Sequence, residues 1–244
     1  MKLGVIGAGS IARALVGGWG EKVVASDGGS GRAAELGERL GSNRAVAEAA
    51  DVVVLCHKPH QLAAVAGEIR DVARAVVSAL GGTSVAALED AFPGVPVLAI
   101  MPNTPCEVGR GVVVQTTAEG PHAELATRMR PLLERLGLVV ELPAGLVGAA
   151  TEVMGVGPAY LALVLEAQVD AAVRHGLSAP LATELATATM AGTAALLAAR
   201  DGDTLAVRRA VTSPGGSTAR GLAALERHGL RAAFSAAADA VRDG

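Results

Sequence analysis

The sequence has few aromatic residues, few cysteines and no strong excess of either charge. Aromatic residues make up 2% of the 244 residues. The two cysteines, Cys56 and Cys106, are too few for a disulfide framework, and neither stands at metal-site spacing from another cysteine or a histidine. His57 and His60 lack an obvious third ligand. We therefore expect no metal site and a cytoplasmic location.

The charge and hydropathy patterns exclude several kinds of partner. A formal net charge of −3 gives no electrostatic reason to expect binding to nucleic acid or to an anionic membrane. No apolar run approaches the roughly 20 residues of a membrane span without a glycine, a proline or a charge. The first residues show no charged segment followed by a long apolar one, so we expect no signal peptide. A small soluble ligand is the expected partner.

Short β-branched runs alternate with helical segments as far as about Gly145. The predicted strands are Leu3–Ile6, Lys22–Ala25, Asp51–Cys56, Ala75–Ala79, Val95–Ile100, Val112–Thr116 and Leu138–Leu142. These runs are apolar throughout, which is typical of strands covered by helices on both faces of a sheet. The predicted crossover helices include Ile11–Gly18, Gly31–Gly41, His60–Ala66 and His122–Arg135. This pattern predicts an α/β fold with a mostly parallel, Rossmann-type sheet.

The β signal ends after Gly145, and only helical spacing follows. The predicted helices are Gly148–Met154, Pro158–His175, Pro180–Ala199, Leu205–Thr212, Ser217–Arg227 and Leu230–Arg242. Pro158 and Pro180 stand where the first turn of a helix tolerates proline. We therefore predict a dinucleotide-binding domain over residues 1–145 and an all-helical domain over residues 146–244.

A glycine-rich turn follows the first predicted strand. Gly7-Ala8-Gly9-Ser10-Ile11-Ala12 fits the G-x-G-x-x-G/A pattern and opens the first helix. Gly7 would allow the tight turn, Gly9 the close approach of a pyrophosphate, and Ala12 close packing of helix on strand. The free N–H groups of the helix N-terminus favour an anion there. The turn predicts a dinucleotide site, although such turns also occur without a ligand.

The end of the second predicted strand bears on the choice of coenzyme. Ser26-Asp27 lies about twenty residues beyond Gly7, where a carboxylate would accept hydrogen bonds from the ribose hydroxyls of NAD. Ser26, Ser30 and Arg32 could instead hold the 2′-phosphate of NADP. A third interpretation is that Asp27 only begins the following turn. The sequence leaves these alternatives open.

Three further motifs give the sequence a specific resemblance. They are Met101–Pro105 (Met-Pro-Asn-Thr-Pro), Gly155–Tyr160 (Gly-Val-Gly-Pro-Ala-Tyr) and Val211–Thr218 (Val-Thr-Ser-Pro-Gly-Gly-Ser-Thr). Together with the first turn, in this order and spacing, they resemble the pyrroline-5-carboxylate reductase family over nearly the whole chain. The resemblance implies NAD(P)H-dependent reduction of the imine 1-pyrroline-5-carboxylate to L-proline, the last step of proline biosynthesis. It also implies a homodimer formed through the helical domain, or a ring of dimers.

The resemblance assigns roles to several residues near the predicted ligands. Lys58-Pro59 matches a family Val-Lys-Pro at a strand end, although here His57 stands before the lysine. Lys58, Pro59 and Asn103 are thereby expected near the cofactor, because the carboxyl ends of parallel strands face the ligand crevice. Lys58 could equally be a solvated surface lysine.

The predicted substrate site is the loop that opens the helix Ser217–Arg227. Free N–H groups at such a terminus can hold a carboxylate without an arginine. The resemblance assigns the substrate carboxylate to this loop and a place near the imine nitrogen to Thr218. The expected substrate-binding residues are Ser213, Gly215, Gly216, Ser217 and Thr218, with catalytic roles for Ser213 and Thr218. Without a ligand, the same loop would be a simple N-cap.

The sequence departs from the family pattern before Pro158. The family usually has Ser-Gly-Ser-Gly-Pro-Ala-Tyr, where this chain has Met154 and Val156 in place of the two serines. The loss of two hydroxyls leaves open a second hypothesis, NAD(P)H-dependent reduction of another cyclic imine. A third hypothesis is a nucleotide-binding regulator that has lost catalysis.

Overall fold

The computed structural model describes residues 1–242 and divides the chain into two compact units, Met1–Pro158 and the residues from Ala159 onward. The first unit contains eight strands. They are β1 (Leu3–Ile6), β2 (Val23–Ser26), β3 (Glu38–Arg39), β4 (Val52–Leu55), β5 (Val76–Ser78), β6 (Val97–Pro102), β7 (Gly111–Thr116) and β8 (Gly137–Leu142). Seven of these were predicted to within two residues of their observed ends.

All eight strands form one sheet in the order β3-β2-β1-β4-β5-β6-β7-β8. Every neighbouring pair is parallel except β6 and β7, which are antiparallel. Leu3 of β1 lies opposite Val23 of β2 on one side and Val52 of β4 on the other. The chain order therefore reverses at β1, and a ligand crevice in such a sheet lies beyond the carboxyl ends of the strands at this point.

Helices cover both faces of this sheet. Those of the first unit are α1 (Ser10–Trp19), α2 (Asn43–Ala49), α3 (Leu62–Ile69), α4 (Val85–Ala91), α5 (Pro121–Arg135) and α6 (Ala144–Ala150). One core cluster contains Leu15 and Met129, and a second contains Val46 and Phe92. Because apolar side chains are buried on both faces, the strands read as continuous apolar runs. The predicted α/β class with a mostly parallel sheet is confirmed.

One predicted helix is wrong. Instead of a helix over Gly31–Gly41, the structure has a 3₁₀ turn at Arg32–Glu35 followed by the two-residue strand β3. Gly31 has φ +80°, which a regular helix does not allow. A Cβ at Gly37 would collide with the carbonyl oxygen of Val23, so glycine there lets β3 approach β2. Tertiary contact with β2 thus overrides the local helical preference.

The helices of the second unit follow the predicted segments closely. A π-helical turn at Thr151–Gly155 leads into α7 (Gly157–Arg174), and α8 (Ala179–Ala198), α9 (Thr204–Ala210), α10 (Ser217–Arg227) and α11 (Leu230–Arg242) complete the described chain. The contacts divide the chain after Pro158, whereas the domain boundary was predicted after residue 145. The difference is α6 and the π-helical turn, which contact the sheet of the first unit.

Two helical segments expose unusually apolar surfaces. Ala144–Arg174 and Ala179–Ala198 are long and apolar enough to span a bilayer by length and composition, and only 6% of the most apolar stretch of each is buried within the chain. The exposed side chains include Leu161, Leu163, Leu181 and Leu185. A surface of this kind indicates contact with another apolar surface.

Candidate functional site

The turn after β1 is built around a glycine that no other residue could replace without strain. Gly7 has φ +101°, and a Cβ there would lie 2.6 Å from the backbone nitrogen of His57. Its N–H donates to the carbonyl oxygen of Ser26 at 2.9 Å. The absent side chain therefore lets three strand ends meet, β1, β2 and β4, at the point where the strand order reverses.

The next residues form an open helix terminus. Gly9 is the N-cap of α1, and a Cβ there would have no atom within 4 Å. No side chain caps this terminus and no acidic residue stands in its first turn. The free N–H groups and the helix dipole therefore favour an anion. Ser10 is exposed, whereas the side chains of Ala8 and Ala12 are buried in the core. Gly9 and the N-terminus of α1 fit a pyrophosphate.

The carboxylate of Asp27 is occupied by its own loop. Its Oδ1 accepts hydrogen bonds from the N–H groups of Gly29 (2.9 Å) and Gly31 (3.3 Å), and its Oδ2 accepts one from Ala33 (2.7 Å). The Ala33 bond is the largest cause that lowers the pKa of Asp27 to about 2, with smaller contributions from the other two N–H groups. The structure thus matches the interpretation of Asp27 as the start of a turn.

The neighbouring Ser26 is also engaged within the protein. The residue is 2% exposed, and its Oγ donates to Asn43 Oδ1 at 2.7 Å. Asn43 Nδ2 in turn donates to Glu68 Oε2 at 2.9 Å. Ser30 and Arg32, by contrast, are exposed, with Arg32 Nε 3.4 Å from Ser30 Oγ. Of the side chains considered for a 2′-phosphate, these two are the accessible ones.

The segment after β4 contains the predicted cofactor residues Lys58 and Pro59. Lys58 and Pro59 are exposed and begin a 3₁₀ turn, with the N–H of Lys58 donating to Gln61 Oε1 at 3.0 Å. His57 Nδ1 lies 2.9 Å from the carbonyl oxygen of Lys58, so this nitrogen carries the proton and donates. Burial lowers the pKa of His57 below its ordinary value of 6.5. The ring is therefore neutral at pH 7.

Asn103, predicted near the cofactor, has a structural role in the first unit. It is 6% exposed, its Nδ2 donates to the carbonyl oxygen of Met154 at 2.9 Å, and its Oδ1 accepts from the N–H of Val112 at 2.8 Å. The amide thus joins the end of β6 to β7 and to the π-helical turn. Met154 is itself 8% exposed, so its side chain fills core volume. Both the amide nitrogen and the amide oxygen of Asn103 are therefore engaged within the protein, and its place near the cofactor stays a prediction.

The loop before α10 leads into a second open helix N-terminus, which lies in the second unit. Gly215 has φ +66°, and Gly216, the N-cap of α10, donates its N–H to the carbonyl oxygen of Ser213 at 3.0 Å. No side chain caps α10 and no acidic residue stands in its first turn. Ser213 and Ser217 are exposed, and Thr218 is half-buried. The predicted substrate residues therefore surround an open helix N-terminus.

Sequence reasoning missed one cation beside this loop. Arg220 Nη1 donates to the carbonyl oxygen of Gly215 at 2.6 Å. The guanidinium therefore lies next to the backbone that a carboxylate would approach, and it stabilises the left-handed turn at Gly215. The signal available in the sequence was its position two residues after Thr218, within the first turn of α10. Over residues 1–242, no group of three or more histidine, cysteine or acidic side chains is placed to hold a metal ion.

Comparison with known proteins decides the family. A pyrroline-5-carboxylate reductase from Corynebacterium melassecola is 36% identical, with 99% of this chain and 96% of the relative covered. The chain belongs to the pyrroline-5-carboxylate reductase family. A second member, from a Synechocystis species, is 35% identical over 79% of this chain and 73% of its own length.

Family models and solved structures agree with this membership. A model described as pyrroline-5-carboxylate reductase dimerisation matches residues 145–243, and one described as NADP oxidoreductase, coenzyme F420-dependent, matches residues 2–82. The Plasmodium falciparum pyrroline carboxylate reductase with NADP bound superimposes with a TM-score of 0.91 at 26% identity, covering 99% of this chain and 95% of that one. The Streptococcus pyogenes reductase gives 0.89 at 28% identity, covering 100% and 97%. A Rossmann-type nucleotide-binding part followed by a helical part is the family architecture, and membership makes the chain an NAD(P)H-dependent oxidoreductase that self-associates.

Proposed function

We propose that this protein reduces 1-pyrroline-5-carboxylate to L-proline at the expense of NAD(P)H. The observation that carries the proposal is the open N-terminus of α10, where small residues and hydroxyls surround free N–H groups. Such a terminus suits a substrate with one carboxylate. The names of the relatives and the dinucleotide turn at Gly7–Gly9 supply the reaction type. We assign this reaction to proline biosynthesis and propose a cytoplasmic location.

For this reaction, the main task of the protein is to position the substrate for hydride transfer. A bound reduced nicotinamide supplies a hydride for the C=N carbon, and the imine nitrogen takes up a proton. The backbone N–H groups of Ser217 and Thr218 would hold the carboxylate, with Ser213 as a further hydroxyl donor. Thr218 would orient the imine nitrogen or relay its proton through the hydroxyl. Arg220 would add positive charge beside the carboxylate and keep the turn at Gly215 in shape.

We propose that NADPH is preferred over NADH. The Asp27 carboxylate is occupied by three backbone N–H groups, so it is a poor acceptor for ribose hydroxyls. Arg32 is exposed and its guanidinium suits a phosphate dianion. Arg32→Gln should raise the KM for NADPH about tenfold and leave that for NADH unchanged, whereas Arg39→Gln, also exposed, is the matched control. Equal effects of Arg32→Gln on both coenzymes would contradict this preference.

We propose further that the exposed apolar helices α7 and α8 are covered by a second copy of the chain. The dimerisation match over residues 145–243 includes both helices. A homodimer, or a ring of dimers, would bury the leucines that one chain leaves exposed. Sedimentation in detergent-free buffer should give a dimer or a multiple of it. A monomer that requires detergent to stay in solution would instead favour a membrane location.

The activity test compares Thr218→Val with Thr218→Ser. Loss of the hydroxyl should lower kcat about 100-fold, in line with the usual effect of a single proton-transfer group, and serine should restore most of it. Thr212→Val, whose hydroxyl donates to the carbonyl oxygen of Arg208, is the matched control. Faster turnover of a six-membered cyclic imino acid than of 1-pyrroline-5-carboxylate would point to another imine as substrate. Tight NADPH binding without consumption of either imine would point to a nucleotide-binding regulator.

A further inference from the structure

Gln115 has a buried amide oxygen without a partner. The residue lies on β7 and is 3% exposed. Its Oε1 is fully enclosed and accepts no hydrogen bond from the described residues. Buried polar atoms nearly always have a partner, so such an atom requires an explanation. The nearby surface suggests one, because Gln115 lines a cavity of about 380 Å³ in the first unit.

The cavity is formed by α5 and by the strands β7 and β8. Its apolar wall includes Ala123, Ala126 and Pro131 of α5. The space is partly open to solvent and is large enough for several water molecules. A molecule with fewer than ten non-hydrogen atoms therefore fits, and the alanines leave space for a small aliphatic group.

One end of the cavity offers hydrogen-bond acceptors. Gln115 and Glu141 are register partners on the parallel strands β7 and β8, so their side chains lie on the same face of the sheet. Both residues line the cavity. Thr127 also lines it, and Pro131 has no N–H to donate to the Thr127 carbonyl four residues earlier. The Glu141 carboxylate and the Thr127 carbonyl are thus acceptors among the lining residues, and a half-turn of the Gln115 amide about χ3 would bring its enclosed oxygen to the cavity.

The cavity also contains a cation. Arg130 lines it, and its Nε donates to Glu134 Oε1 at 2.7 Å. A guanidinium has five N–H donors, so its two Nη groups remain for an anion. The cavity therefore combines acceptors, a cation and an apolar wall within one amino-acid-sized space.

We propose that this cavity is a binding site for a small zwitterionic α-amino acid. The ammonium group donates to Gln115 Oε1 and to the carboxylate of Glu141. The carboxylate of the ligand accepts from Arg130, and the aliphatic group contacts the alanines of α5. The Gln115 amide turns its oxygen toward the ligand about χ3, a torsion with a broad energy profile. The site lies in the first unit, apart from the loop at Ser213–Thr218, and does not depend on the proposed reaction.

The test is direct binding to the full chain labelled with ¹⁵N, with L-alanine, L-valine and L-proline as probes. The side-chain NH₂ resonances of Gln115 are identified by their loss in Gln115→Met. Alanine or valine should shift them, and N,N,N-trimethylalanine, which has no N–H, should not. Arg130→Gln should weaken binding about tenfold, the factor expected for one hydrogen bond to a charged group, whereas Arg128→Gln on the same helix should not.

The outcomes separate this site from the proposed reaction. If L-proline alone shifts the Gln115 resonances, the site recognises the product of that reaction, and if alanine or valine also does, it is a general amino-acid site. Gln115→Met and Arg130→Gln should keep imine reduction within about twofold of the wild type, because neither residue belongs to the reactive groups. The proposal is overturned if no amino acid shifts the Gln115 resonances, or if Arg130→Gln and Arg128→Gln bind equally well.

Discussion

Asp27 Oδ2 accepts a hydrogen bond from the backbone N–H of Ala33 at 2.7 Å, six residues further along the chain. With the bonds from Gly29 and Gly31, this contact folds the segment after β2 around one carboxylate. A carboxylate in this sequence position would ordinarily be assigned to the ribose of NAD. Because the loop engages this carboxylate, we propose the exposed Arg32 as the group that binds a coenzyme phosphate.

Asp27→Ala should loosen this loop rather than change the coenzyme. The three N–H groups lose their acceptor, so we expect the KM values for NADPH and NADH to rise together by a few-fold. Saturation curves with both coenzymes check this expectation. A selective gain for NADPH would show that the carboxylate does contact or repel the nucleotide.

The same carboxylate makes stability dependent on pH in a definite window. Its pKa is lowered to about 2 in the folded protein, against about 4 for an unfolded chain. The ionised Asp27 carboxylate therefore contributes its full stabilisation above about pH 4, and this contribution is lost as the pH falls from about 4 to about 2. The difference in melting temperature between the wild type and Asp27→Asn should shrink over that interval. An undiminished difference in melting temperature at pH 2 would contradict this role of the Asp27 carboxylate.

Alanine at Gly7 should mainly lower stability, whereas alanine at Gly9 should mainly weaken nucleotide binding. Alanine at Gly7 collides with the backbone of Cys56 and His57 and must adopt φ +101°, so Gly7→Ala should cost more than about 2 kcal/mol of unfolding free energy. Alanine at Gly9 contacts no atom, so stability should stay within about 0.5 kcal/mol. A methyl group at the pyrophosphate position should nonetheless weaken NADPH binding at least tenfold. Urea unfolding and fluorescence titration measure the two effects, and normal NADPH affinity in Gly9→Ala would argue against the pyrophosphate position.

Asn103→Ala tests the internal role of the Asn103 amide. The substitution leaves the Val112 N–H and the Met154 carbonyl without their partner. Two buried polar groups left unsatisfied should lower the unfolding free energy by about 3 kcal/mol. Urea unfolding measures this loss, and NADPH affinity in the folded variant should remain within twofold of the wild type. A stable variant with weakened NADPH binding would instead place the amide at the cofactor.

His57 should also contribute to stability in a pH-dependent way. Burial lowers its pKa in the folded state below 6.5, so the unfolded chain takes up the proton first as the pH falls. Relative to His57→Val, the wild type should therefore lose stability below about pH 6.5. His60→Val, at an exposed position, is the control. Parallel stability curves for the wild type and His57→Val between about pH 7.5 and pH 5 would exclude this effect.

More of the fold than of the candidate site could be predicted from the sequence. Seven strands have short apolar runs rich in β-branched residues. In contrast, β3 consists of two exposed polar residues, Glu38 and Arg39, and is a strand only because it pairs with β2. The helix predicted over Gly31–Gly41 failed for the same reason. Local preference was decisive where a segment supplied enough apolar residues, and pairing was decisive where it did not.

The sequence by itself determined the turn at Gly7–Gly9, the order of an α/β part before a helical part, and the family through four motifs in fixed order. These features depend on residues close together in the chain, where spacing fixes geometry. Only the tertiary structure decided which partners individual side chains contact. Asn103 meets Met154, 51 residues away, and Gln115 lines a cavity with residues of α5 and β8. Hydrogen-bond partners at such separations are set by the packing of whole elements, which no local pattern records.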